Sequence, residues 1–477
     1  MKKFVKILAL SSCFIGYNGI AAFASDAEVE ALRQEIKLMQ ASYEKKISLL
    51  SKRLEKMESA KKQDGNSALV QNANNINNIA SNTRANLTNS DNIVNNNTRN
   101  NAVVSGNSNS AFNPAVGIIL NGKYSNFSKK DSNMPGFATG DEGTRGKEGL
   151  GLDESEINFS ANADDKFSGK VTASIVRDNG EDKIELEEAY LQTLPGIGLP
   201  QGLTVKAGRA LWNFGYLNEH HAHSDDFADR PLPYRAFLNN GFNDDGAQIS
   251  YVLPTDIYTE IGGGVFRSED FPGSTTANSK GSGAYSSYAK IGGDIGSKQA
   301  WQIGASWLRN NASNRTTNDD SLIFLGQSNL YALDLRYVIA PTGNSAEQEI
   351  VLQGEYLWRN EDGLYSDSTI SVSDVNYNKN SNGWYTQAIY KFAPQFRVGA
   401  RYSMLEAPTI SEQLVGGVLD SNGYNPKNYA LMTDWTNSEF SRIRLQFNRE
   451  QLSRDVIDNQ IMLQYIISLG AHGAHKF

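Results

Sequence analysis

Tyr331-Ala332-Leu333-Asp334-Leu335-Arg336-Tyr337-Val338-Ile339 is the stretch on which the fold turns. Tyr331, Leu333, Leu335, Tyr337 and Ile339 alternate with Ala332, Asp334, Arg336 and Val338, so an extended chain carries grease on one face and charge on the other. The rhythm recurs at 350–358, where Ile350, Leu352, Gly354, Tyr356 and Trp358 share a face, and at 396–404 with Phe396, Val398, Ala400, Tyr402 and Met404. In 443–447, Ile443, Leu445 and Phe447 alternate with Arg444 and Gln446. Soluble sandwiches alternate too, but their strands usually run about 5–6 residues. Runs of about 10–13 residues, as here, suit a tilted strand that crosses a bilayer.

Outward from that stretch the pattern predicts sixteen strands: 115–127, 153–163, 166–178, 183–194, 202–213, 244–253, 256–268, 284–294, 298–310, 328–340, 347–360, 382–392, 395–406, 428–437, 439–449 and 457–469. Tight turns such as Leu253-Pro254-Thr255, Gly296-Ser297 and Ala393-Pro394 alternate with long polar loops at 128–152, 214–243, 269–283, 311–327, 361–381 and 407–427. An even strand count with short turns at one end and long loops at the other predicts an all-β fold, a 16-stranded antiparallel transmembrane β-barrel. Ile461, Leu463, Tyr465, Ile467 and Leu469 continue the rhythm toward a terminal Phe477. That ending resembles the signal by which bacterial barrels are recognised for insertion.

The 477 residues include 42 Gly, 21 Tyr and 20 Phe, with a formal charge of −8. No apolar run near ~20 residues follows the N-terminus, which excludes helical membrane spans. The acidic balance argues against a nucleic-acid partner. Residues 1–24 read as a signal peptide: Lys2, Lys3 and Lys6 precede an apolar middle and Ala22-Phe23-Ala24. Leu10-Ser11-Ser12-Cys13 weakly resembles a lipoprotein box, so lipidation at Cys13 is the minority reading. Residues 25–62 are expected to form an N-terminal α-helical coiled coil in the periplasm, with its seam through Val29, Leu32, Ile36, Met39, Tyr43, Ile47, Leu50, Leu54 and Met57. The Asn-rich tract 63–112 cannot bury enough apolar surface to fold as a core and reads as a linker to a barrel at 113–477.

Val205-Lys206-Ala207-Gly208-Arg209, then Asn213-Phe214-Gly215-Tyr216 and the long loop after it, resemble the sixteen-stranded porin group that includes the phosphate-selective porins. The resemblance implies a homotrimer held by coiled coil and barrel contacts, in outer-membrane lipid and lipopolysaccharide of a Gram-negative bacterium. It also implies that the third long loop, 214–243, folds inward and narrows the lumen. His221-Ala222-His223, Asp226-Phe227-Ala228-Asp229 and Gly470-Ala471-His472-Gly473-Ala474-His475 resemble barrel proteins known as zinc-regulated outer-membrane receptors or porins.

All five histidines fall in two clusters. His220, His221, His223, Asp225, Asp226 and His472 offer ligand types suited to zinc or a similar divalent cation. The competing reading is a lumen loop whose histidines hydrogen-bond to neighbouring carboxylates. Expected pore-lining charges are Glu185, Glu187, Glu355, Arg397, Arg401, Arg442 and Arg444. The function expected is a porin, a water-filled channel for passive diffusion of small hydrophilic solutes or ions. A metal- or zinc-linked receptor and a structural or adhesive surface barrel are the alternatives. An enzyme is not expected, because no nucleophile, base and orienting group stand at a telling spacing.

Overall fold

The computed structural model describes residues 114–130, 132–178, 181–274 and 281–470. The expected signal peptide, coiled coil and linker lie outside the described residues, as do His472 and His475.

Seventeen strand segments form one antiparallel sheet. In chain order they are β1 (Ala115–Phe127), β2 (Gly149–Leu152), β3 (Ser155–Asn162), β4 (Phe167–Asp178), β5 (Glu181–Thr193), β6 (Leu203–Leu211), β7 (Asn243–Val252), β8 (Tyr258–Phe266) and β9 (Ala284–Ile295). They continue as β10 (Gln299–Thr317), β11 (Leu322–Ile339), β12 (Glu349–Asp367), β13 (Val372–Ala393), β14 (Phe396–Glu406), β15 (Lys427–Ser438), β16 (Ser441–Gln451) and β17 (Ile457–Gly470). Both β2 and β3 pair with β1, Leu152 opposite Gly122 and Glu156 opposite Ile119. They are therefore two halves of one stave, and the seventeen segments make sixteen staves. On its other side β1 pairs with β17, from Gly117 opposite Gly470 to Phe127 opposite Gln460. The sheet closes on itself, leaving no unpaired edge.

Alternation decides which face looks where. In β11, Leu333 and Leu335 are 49% and 50% exposed while Asp334 between them is 3% exposed. In β16, Ile443, Leu445 and Phe447 face out, and Arg442, Arg444, Gln446, Asn448 and Glu450 are buried inside. The result is an apolar, aromatic outer wall around a polar, charged interior, the reverse of a soluble barrel.

Two expectations are corrected. Segments 311–327 and 361–381, expected as irregular loops, are mostly strand: β10 runs on to Thr317 and meets β11 from Leu322, and β12 to Asp367 meets β13 from Val372. Asn310, Asn311 and Ser313 lack the apolar signal, yet their backbones still pair with Ser328, Gln327 and Leu325. The second correction is in β5. A bulge opposite Thr172 and Ala173 leaves Glu187 without a strand partner, so the inward parity resets between Glu185, opposite Ser174, and Glu188, opposite Thr172.

Candidate functional site

The connection 212–242 between β6 and β7 folds into the barrel. It contains two 3-10 turns, Leu217–Glu219 and Ala222–Ser224, and a short helix, α1 (Leu232–Leu238). Pro231 caps α1 and Asn239 ends it with a left-handed backbone, φ 52°. All seven α1 residues are buried. Phe214, Leu217, Leu232, Tyr234, Phe237 and Phe242 pack with wall residues Phe266, Leu308, Leu330, Leu357 and Leu405.

Polar contacts bind this loop to staves all round the barrel. Glu355 of β12 takes four donors: the backbone amides of Tyr216 (3.0 Å) and Leu217 (3.1 Å), and the hydroxyls of Tyr234 (2.8 Å) and Tyr385 (2.6 Å). Gly215 permits the approach, with φ +63°; a Cβ there would stand 2.3 Å from Glu355 Oε2. On the β14–β16 wall, Arg397 bridges Asp226 (2.8 Å) and Asp434 (2.7 Å), and Arg401 holds Asp229 (2.7 Å). Arg442 and Arg444 donate to the backbone carbonyls of His223 (2.7 Å) and Asp225 (2.8 Å). Arg235 on α1 pairs with Glu450 at 2.6 Å.

The expected metal set is dispersed. Asp225 pairs with Arg230 at 2.7 Å and Asp226 with Arg397, so arginines take up both loop carboxylates. Burial pushes Asp225 up to about 6, with Arg230 opposing. His220 packs beside Tyr216, ring centroids 5.0 Å apart and planes tilted by 48°. Burial, with Arg336 and Arg230 adding, drives it down to about 3 and keeps it neutral. His221 and His223 turn the other way, to glutamates of the wall. His221 Nε2 lies 2.9 Å from Glu188, and its Nδ1 lies 3.2 Å from both Glu156 and Glu187. His223 Nδ1 lies 2.7 Å from Glu156. Burial opposes a charged His221, but Glu156 and Glu188 outweigh it and hold its proton well above the usual histidine range. Glu156 and Glu188 escape the sequence reading, Glu188 because the bulge shifts its parity.

Of the expected lining charges, Glu355, Arg401, Arg442 and Arg444 are buried inside, Arg397 and Glu187 are half-buried toward the loop, and Glu185 is exposed. Glutamates on β3 and β5 and arginines on β14 and β16 thus stand on separate walls with the loop between them.

A second connection, 128–148, crosses the long-loop end. It leaves β1 and reaches the β10–β11 tip, halfway round the sixteen staves, where Thr139 and Asn318 exchange hydrogen bonds of 3.1 and 3.2 Å. Gly136 donates to Val418 O (3.0 Å), and Gly143 sits on α1, donating to Asn239 (2.6 Å) and accepting from Arg235 (3.0 Å). Phe137, fully buried, lies 6.0 Å from Phe237. Arg145 returns the strap to Asp458 of β17. Only its few apolar residues, Met134 and Phe137, signalled this in a polar segment.

Arg397→Ala is expected to leave Asp226 without its ion pair and Asp434 with only Arg444 at 3.5 Å, and to lower stability by about 3–5 kcal/mol. Adding Asp226→Asn should recover part of that loss in detergent unfolding. Equal losses in the single and double variants would show that the loop does not share Arg397's charge.

No family model matches the chain. An uncharacterized protein of Aquifex aeolicus is 28% identical over 403 residues, covering 77% of this chain and 80% of that protein. Among solved structures, the anion-selective porin from Comamonas acidovorans is similar with TM-score 0.47 and 11% identity, over 75% of this chain and 99% of that one. The outer membrane channel DcaP of Acinetobacter baumannii gives TM-score 0.46 and 11% identity, over 75% and 97%. Salmonella typhi OmpF gives 0.47 and 12%, over 75% and 97%. The barrel assignment rests on the strand pairing itself.

Proposed function

We propose that the protein is an outer-membrane porin, a water-filled channel for passive diffusion of small hydrophilic solutes or ions. The observation that carries this reading is the closed sixteen-stave sheet with an apolar, aromatic outer wall and a charged interior. Such a surface is stable where lipid covers the outside and water fills the inside. The contacts of 212–242 with β3, β5, β12, β14 and β16 support its role as the narrowing loop. Assembly as a homotrimer in lipid and lipopolysaccharide, with a periplasmic coiled coil, belongs to the same proposal.

Separate walls of glutamate and arginine, parted on one side by β17 and β1, would turn a dipolar solute as it passes. Most of these charges already have partners, so net ion selectivity should be modest. In planar bilayers the full chain is expected to give discrete conductance steps with a cation-to-anion permeability ratio within a few-fold of one. Stable insertions that never conduct would overturn the channel reading and favour a metal-linked receptor or a structural barrel.

A further inference from the structure

We infer that the seam between the inward loop and the β3–β5 wall is a divalent-cation site, with His221, Glu154, Glu156 and Glu187 as ligands. One potential ligand atom from each lies within 4.8 Å of all the others. The four come from separate pieces of chain: the break between β2 and β3, the start of β3, the bulge of β5, and the loop residue that precedes the turn Ala222–Ser224. Bond lengths of about 2.0–2.1 Å place tetrahedral ligands roughly 3.3 Å apart, so side-chain adjustment alone closes the set.

A second observation points to the metal rather than to a mere acidic patch. His221 Nε2 lies 2.9 Å from Glu188, which is itself held by Lys170 at 2.5 Å and Thr172 at 3.2 Å. A carboxylate on one imidazole nitrogen fixes the tautomer and aims the other nitrogen's lone pair at a metal. Here that other nitrogen is Nδ1, and it faces Glu156 and Glu187, both at 3.2 Å. Glu156, Glu187 and this nitrogen thus converge on one point between the loop and the wall. Three carboxylates and one imidazole gathered within 4.8 Å form a donor set matched in charge and type to a dication. One nitrogen with oxygen donors suits Zn²⁺, Mn²⁺ or Fe²⁺.

The site lies inside the proposed channel but does not require that the channel conduct. The test uses the chelator-treated full chain in detergent, with Co²⁺ as a visible probe and Zn²⁺ as competitor. One Co²⁺ per chain is expected, with d–d absorption bands that Zn²⁺ removes. Glu188→Gln should weaken binding about 10–100-fold, and Glu187→Gln, which removes a ligand, at least as much, provided heat-modifiable gel migration shows the barrel intact. His220→Ala, and the pair His472→Ala with His475→Ala, should bind as the parent does. Absence of stoichiometric Co²⁺ uptake would overturn the site. Loss of binding in the terminal-histidine pair with full binding in Glu187→Gln would overturn it equally. A protein that conducts without binding Co²⁺ refutes this site alone; one that binds without conducting refutes the channel alone.

Discussion

Glu355→Ala is expected to raise single-channel conductance at least two-fold and to lower stability by about 3–5 kcal/mol. Its carboxylate takes the amides of Tyr216 and Leu217 and the hydroxyls of Tyr234 and Tyr385. Deleting the acceptor strands four donors, and each buried donor left unmade costs about 1–3 kcal/mol. The wall cannot shift to meet them, so the cheaper response is for the loop to leave its seat and admit water. Glu355→Gln keeps one carbonyl acceptor but turns an amide donor toward the other pair, so an intermediate effect is expected. Bilayer recordings and thermal unfolding read the two consequences separately. Unchanged conductance with reduced stability would place the solute path away from this loop.

Excision of 132–147, bridged by a short Gly-Ser linker, is expected to increase conductance several-fold. The strap contributes no strand to the sheet. It is fastened at its far end by Thr139 to Asn318, in the middle by Gly143 to α1, and at its return by Arg145 to Asp458. Close packing leaves little passage beneath it, since a Cβ at Gly143 would stand 2.3 Å from Arg235 O and one at Gly140 2.6 Å from Asn239 Oδ1. Swelling of proteoliposomes in sugar solutions should accelerate along with the electrical change. If neither moves, the strap does not lie across the route.

How much of this was legible beforehand depends on whether one face was greasy. Where Ile443, Leu445 and Phe447 bracket Arg444 and Gln446, the strand and its orientation could be read directly. Above the apolar band the outer face turns polar, as at the exposed Asn376, Asn378 and Asn380 of β13, while Val375 and Tyr377 between them are buried on the inner face, so backbone pairing proceeds without the greasy outer stripe that marks the strands below. The histidine loop showed its chemistry but not its partners. Asp225 and Asp226 looked like companions of His221 by proximity in the chain, yet Arg230 of the same loop claims the first and the distant Arg397 the second. The glutamates that do meet His221 belong to other strands, and an extra residue in β5 hid one of them from a strict count of two.

The four strands β10 to β13 run 18 to 22 residues, while β6 and β8 have nine. The rim is therefore lopsided, a tall parapet over four of the sixteen staves and a low sill where the strands are short. A molecule drifting toward the mouth finds its approach screened on the high side and open on the low one. The same parapet is the first part an antibody or bacteriophage would touch, so its hairpin tips at Asn318–Ser321 and Thr369–Ser371 are the natural places for an epitope tag that reports which end faces the outside world.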